Sequence, residues 1–357
     1  YTTSTLFRSH TRESGSNMCA VDDSYQLGSH IWTSIWDGTT SFRSYIDESL
    51  VGESFAGSAS PSGHNYTLLG ANNVSNQYSF IGDIAECIFY SININNAQRI
   101  ILDNYLSTKY AISLSGNDKF AHDGTHGNEL AGIGREDASN EHLDAQGESI
   151  VRITATSLDD GDYLMWGHDN GNLISTTSGI PTTGFPITGA MLERKWRVTE
   201  TGETGNLTIS FDLSTGLAFG DPSEYYLLID NDDDFTDAGF YGPVSISSDI
   251  VTFSILSTEL DDGDYFTLAN GDAEIISIVS GQTWNDPTTW NCNCIPNLGS
   301  NVTIDVGDQV RVLSPSNALN LDVSNLGQLS LFGTTLNIAG DLDMQAGSTN
   351  SLNGFLD

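Results

Sequence analysis

Three aspartates at alternate positions, Asp230, Asp232 and Asp234, with Asp237 three residues on, form the most chemically suggestive spacing in the chain. They stand in LLIDNDDDFTD (227–237), where strand-forming residues run into acid. Hard oxygen ligands at alternate positions of a loop suit calcium, which takes about six to eight oxygens. The rest of that loop type is missing. Phe235 stands where an EF-hand-type loop has its turn glycine, and Tyr241 where it has a bidentate glutamate. Two readings stay open: a calcium site closed by residues from elsewhere in the chain, or an acidic solvated turn between strands.

Other candidate groups are weaker. Leu-Asp-Asp-Gly-Asp-Tyr occurs twice, at 158–163 and 260–265, and turn chemistry accounts for both copies, with Tyr163 and Tyr265 expected to point inward. His122 and His126 have a helical metal-pair spacing, but Gly124 and Gly127 predict a surface loop instead. His168, in MWGHDNG (165–171), reads as a turn residue. Trp32 and Trp36 lie four apart on one predicted strand and therefore share a face. Open to solvent, they would form a sugar-stacking platform; covered, they fill a core. Carboxylate pairs such as Asp83 and Glu86 abound, and a pair without geometry is no evidence of glycoside hydrolysis. GxSxG, HExxH and activated Cys–His signatures are absent, so the expectation is a protein that is not an enzyme.

The four cysteines are Cys19, Cys87, Cys292 and Cys294, and none forms a CxxC pair. In an exported protein they would make two disulfides, Cys19–Cys87 and Cys292–Cys294. Charge narrows the partners. Twelve Lys and Arg against 47 Asp and Glu give a net charge of −35, which repels phosphate backbones and excludes nucleic acid as a natural partner. Only three residues are lysine, which suits an extracellular or marine setting. No run approaches the roughly 20 apolar residues of a membrane span. The chain opens on Tyr1 and stops inside a repeating pattern, so it is expected to be a piece of a longer processed protein.

The elements that would position these residues are strands. High Gly, Ser, Thr, Asn and Asp content with short apolar runs predicts an all-β fold in three regions. In the first, 1–114, residues 30–54 read as a three-strand meander with turns at Asp37-Gly38 and Asp47-Glu48-Ser49. FIGDIAECIFYS (80–91) alternates like another strand. Residues 95–110 are a helix capped by Asn95 or Asn96, with Ile101, Leu102, Tyr105 and Leu106 on one face.

The order DGTT, YID, GDIAE and NYLSTKY resembles the second half of a laminin-G-like, concanavalin-like jelly-roll domain, over about residues 25–112. It looks most like the version in large secreted surface proteins of gliding bacteria, where a glycine usually follows YID and this chain has Glu48. The resemblance implies early strands shortened or lying before Tyr1, and an acidic residue, Asp83, near a cation site. The second region, 115–273, reads as a β-sandwich and resembles an uncharacterised module that follows the jelly roll in the same proteins. The third, 274–357, opens with Trp284 and Trp290 and continues in strands of two to four residues separated by Gly and Asn. It looks like the first coils of a right-handed β-helix, with the two tryptophans capping the first coil.

The fold expectation is thus a partial jelly roll with one C-terminal helix, a β-sandwich and the start of a β-solenoid. The expected role is a structural or adhesive segment of a secreted cell-surface protein or appendage, similar to type IX secretion cargo. Its expected partners are other copies of itself or surface glycans and proteins, with calcium as the candidate cofactor. The alternative is a carbohydrate-binding module of a secreted polysaccharide-degrading enzyme.

Overall fold

A computed structural model describes residues 6–356 except 14–15, 25–27, 38–40, 56–79, 81, 149, 182–188, 215–224, 244, 248, 272–273, 292–294 and 297–299. The described protein is all-β apart from one 15-residue helix, Asn96–Tyr110, and short helical turns. It divides into two compact units, 1–118 and 119–357. The region read as solenoid falls within the second, as does the region read as sandwich except for residues 115–118.

The first unit holds an antiparallel hairpin, Leu6–Glu13 with Ser16–Ser24, and the expected meander, Trp32–Trp36, Ser41–Ile46 and Ser49–Phe55. Its second turn is a tight two-residue one in which Asp47 and Glu48 take φ of 45° and 71°. Such primed turns favour glycine or asparagine. Here the side chains compensate. Glu48 Oε1 accepts from Ser115 N (2.9 Å) and Oγ (3.0 Å), while Oε2 accepts from Asn117 N (2.5 Å). Asp47 accepts from Ile31 N at 2.8 Å and lies 2.6 Å from His30 Nδ1. Glu48 thereby ties the meander to the unit's C-terminal exit.

The helix starts in a capping box: Asn95 Oδ1 accepts from Gln98 N and Gln98 Oε1 from Asn95 N. Its buried face is Ala97, Arg99, Ile100, Asp103 and Asn104, whereas Ile101, Leu102, Tyr105 and Leu106 are half-buried. Apolar periodicity misplaced the face because a buried ion pair occupies it. Arg99 donates to Asp103 at 2.6 Å, stacks 4.3 Å over Tyr45, and Asp103 also accepts from Thr33. Residues 82–93 form no strand, which corrects the expectation for 80–91. Alternation alone makes no strand without a ladder partner, and none of the described strands pairs with this segment. Ile84, Ile88, Phe89 and Tyr90 are exposed along it.

The sandwich packs two antiparallel sheets. The larger runs in the order Ser175–Thr176, Ala190–Leu192, Tyr265–Asn270, Trp196–Thr201, Tyr163–His168, Asn128–Asp137, Asn140–His142; Tyr225–Asp230 also pairs with Tyr265–Asn270 and carries Gly239–Tyr241. The facing sheet is Ser245–Ser247, Ile250–Ile255, Leu207–Asp212, Val151–Ala155, Asp144–Gln146. Between them Trp196 stacks on Phe266 (5.8 Å) and meets Phe211 edge-on (5.6 Å).

The larger sheet is covered on both faces along Tyr163–His168 and Tyr225–Asp230, which are buried at every position. Leu164, Trp166, Phe266 and Leu268 point into the sandwich, which turns Tyr163 and Tyr265 to the outer face rather than inward. The Tyr163 ring lies across Gly134, where a Cβ would sit 2.1 Å from it. Lys119 stands 4.8 Å above that ring, and Ala121 N donates to Thr199 Oγ1 on the same face.

The solenoid has two parallel sheets. One stacks Glu274–Ile276, Asn301–Ile304, Asn320–Val323 and Leu342–Met344; the other stacks Gln282–Thr283, Gln309–Val312, Gln328–Ile338 and Thr349–Leu356. Val302, Leu321 and Leu342 occupy equivalent places, 19 and then 21 residues apart. Alternate residues, Val302, Ile304, Val310, Val312 and their equivalents, fill the coil interior. Asn320 donates to Asn301 at 2.7 Å and Asn337 to Asn317 at 3.1 Å, a ladder of stacked amides from coil to coil.

Candidate functional site

The acidic loop connects Tyr225–Asp230 to Gly239–Tyr241 at an end of the larger sheet. Its alternating spacing has a local cause. Asp230 Oδ1 accepts from Asp232 N (3.1 Å), Asp232 Oδ1 from Asp234 N (2.7 Å), and Asp234 Oδ1 from Thr236 N (3.3 Å). These are three Asx turns in series, each aspartate bonding the backbone two residues on. The last caps a single 3₁₀ turn, Phe235–Asp237, that seats Phe235 in the core. Phe235 therefore replaces a turn glycine because its ring is a core residue. Asp237 is exposed at the end of that turn.

Asp230 is 9 % exposed, and burial raises its pKa, aided by the charges of Asp232 and Asp237 and opposed by the bond from Asp232 N. Burial likewise raises Asp264 beside it. Lys195 answers this charge. Its Nζ donates to the carbonyl and to Oδ1 of Asp233, both at 2.7 Å, and lies 5.5 Å above the Phe235 ring. Glu193, Lys195, Asp233 and Asp234 rim a shallow open groove of about 330 Å³ floored by Met191 and Phe235. Among the described residues no three of His, Cys, Asp and Glu are gathered to hold a metal.

The two Asp-Asp-Gly-Asp turns are built identically. Asp162 Oδ2 accepts from Asp159 N and Asp264 Oδ2 from Asp261 N, at 2.9 and 2.8 Å, with Gly161 and Gly263 at φ of 96° and 89°. Turn chemistry is what the repeat encodes.

The histidines depart from expectation. Asp123–His126 is one helical turn, and His126 is buried edge-on against Tyr265 at 5.2 Å. Burial lowers the pKa of His122 and His126, with Arg197 adding to it in both. His168 closes a strand and is 1 % exposed. Its Nδ1 accepts from Asn170 N (2.9 Å), which leaves Nε2–H to donate to Glu129 Oε2 (2.9 Å); Arg194 bonds the same oxygen at 3.3 Å. Burial first, then Arg194, lowers the His168 pKa against the pull of Glu129. This network fixes the HDNG turn, and its partners lie 39 and 65 residues apart in sequence, beyond the reach of local pattern.

Trp32 and Trp36 are both half-buried on one face of the meander, opposite Ile46 and Phe42. Asp83 is exposed on the strandless segment, and Glu86 there is held by Tyr110 and Lys109 (2.8 and 3.0 Å). Cys87 is an exposed free thiol, so the expected bridge to Cys19 is not made: the segment carrying it is not a strand of the sheet. The Cys19 side chain and residues Cys292 and Cys294 lie outside the described residues.

Residues 98–271 match the family described as Domain of unknown function (DUF8202). The match opens inside the helix of the first unit and closes just past the strand Tyr265–Asn270. Neither the curated proteins nor the solved structures contain a match. Among the described residues, no helix is long and apolar enough to cross a membrane.

Proposed function

We propose that the chain is a structural and adhesive segment of a large secreted cell-surface protein, working through stiff β modules in series. The observation that supports this reading is the apolar core that the sandwich shares with the solenoid. One cluster holds Tyr226 and Leu228 of the sandwich together with Val302 and Val310 of the coils. Such a shared apolar core passes load from one module to the next. The net charge of −35 fits a role in the extracellular medium, where it opposes nonspecific clumping.

Beads coated with the chain test the reading. Retention under shear on surfaces bearing the same chain or cell-surface polysaccharide supports it, and no retention on either contradicts it. Micromolar binding of a soluble glycan, lost in Trp32→Ala or Trp36→Ala with an unchanged melting temperature, would favour a carbohydrate-binding module instead. In the adhesive reading the acidic loop is braced by its own Asx turns, and calcium is an additional ligand only if it raises the melting temperature.

A further inference from the structure

A parallel solenoid leaves two exposed features at its first coil: an edge of unpaired backbone groups and an uncovered apolar interior. Both are closed here, and by different means. The first coil is longer than those after it, since Ile275 and Val302 are register partners 27 residues apart against 19 and 21 for the next two steps. The added length follows Trp284, which continues the strand Gln282–Thr283, and holds a 3₁₀ turn Pro287–Thr289 and Trp290. It folds back along the free edge in the antiparallel sense. Ile278 N donates to Thr289 O (2.8 Å), Asn291 N to Ile276 O (2.9 Å), and Ser277 bridges Trp290. On the other sheet, Thr289 Oγ1 donates to Thr283 O (2.7 Å) and Trp290 Nε1 to Trp284 O (2.8 Å). No further parallel strand can add on that side.

The apolar end is covered by the sandwich. Trp284 and Trp290 meet edge-on at 5.0 Å, both fully buried, inside a cluster that joins the coil interior to the sandwich's outer face. That face supplies Met191, Tyr226, Leu228, Phe235, Phe240 and Ala269. These residues sit on the opposite side of the sheet from the sandwich's own core, which is a separate cluster.

From this we infer a function for the sandwich module: it is the N-terminal cap and folding template of the β-solenoid. Its outer face takes the place of a missing coil, and the tryptophan insertion stops growth toward the N-terminus. The acidic loop serves the same end, because its Asx ladder seats Phe235 in the shared cluster. The inference does not depend on where the protein acts or what it adheres to.

Hydrogen exchange on the 357-residue chain tests it. Trp284→Ala removes the central ring of the cap. It should accelerate exchange in Asn301–Ile304 and Gln309–Val312 by about a hundredfold, while Val151–Ala155 and Leu207–Asp212 change by less than about threefold. Trp290→Phe keeps most of the bulk and deletes only the bond to Trp284 O, so about fivefold is expected in the same coils. Should Trp284→Ala fail to fold, Trp290→Phe decides alone. Coil exchange that stays unchanged in the folded variants, or that rises no more than in the inner sheet, overturns the inference.

Discussion

The two cores of the second unit are closed in different ways. The sandwich completes its own: two antiparallel sheets meet over Trp196, Phe211, Phe253 and Phe266, and every ring has its neighbours within the module. The solenoid core is a column of short rows, Val302 and Ile304, then Leu321 and Val323, and each row is covered only by the next. Its first row borrows a face from the sandwich. The difference teaches that dependence runs one way: the coils need the sandwich, and the inner sandwich core does not need the coils.

The largest effects should expose that asymmetry. Trp196→Ala is expected to cost about 3–5 kcal/mol in the sandwich and to carry the coils with it, as one loss of structure in thermal melts. Leu331→Ala, buried deep in the coils, should cost about 2–5 kcal/mol there and leave the inner sandwich strands protected from exchange. Coils that outlast an unfolded sandwich would break the comparison.

Acid should sharpen it. His122, His126, His142 and His168 have pKa values lowered first by burial, and residues 274–357 contain no histidine. A histidine with a depressed folded pKa favours the unfolded state once pH falls below about 6.5. Taking the pH from 7 to 5.5 should therefore destabilise the sandwich, and the coils with it through their cap. At lower pH the raised values of Asp230 and Asp264 offset part of the loss, because protonating them favours the folded state. The first unit should respond oppositely over this range. Burial outweighs Arg99 and Thr33 and raises Asp103 to about 6, so the penalty for its charge fades as pH falls through that value. Melting curves read separately from each unit check both signs.

At the acidic loop, Asp232→Asn keeps a side-chain acceptor for Asp234 N and removes the charge. The Asx-turn account expects it to be nearly neutral, with Asp232→Ala costing about 1 kcal/mol whether or not calcium is present. A calcium-dependent rise in melting temperature lost in Asp232→Asn would support the metal reading. The smallest effect is at Leu326, which takes φ of 66° at a corner where the neighbouring coils place Gly307 and Gly347 at 81° and 95°. Leu326→Gly should leave the coils unchanged or stabilise them by up to about 1 kcal/mol in urea melts.

Local rules carried much of the architecture. The meander, the capped helix, the paired Asp-Asp-Gly-Asp turns and the coil corners all follow from residue types within a few positions of one another. The acidic ladder is visible as spacing, yet spacing alone does not separate an ion's ligands from three Asx turns. What local pattern missed is long-range. Alternation predicted a strand at 80–91 that has no ladder partner among the described strands, and periodicity hid the Arg99–Asp103 pair. Glu48 looked like a departure from a glycine position, and its reason lies 67 to 69 residues away at Ser115 and Asn117. The shared core was illegible for a similar cause: a sheet buried on both faces looks in sequence like any apolar strand.

The most direct measurement is a force-extension trace of the whole chain held by its ends. The account predicts that the coils extend first and the sandwich afterwards, as a separate release on the order of 500 Å of contour. Release of the sandwich while the coils remain folded would contradict it.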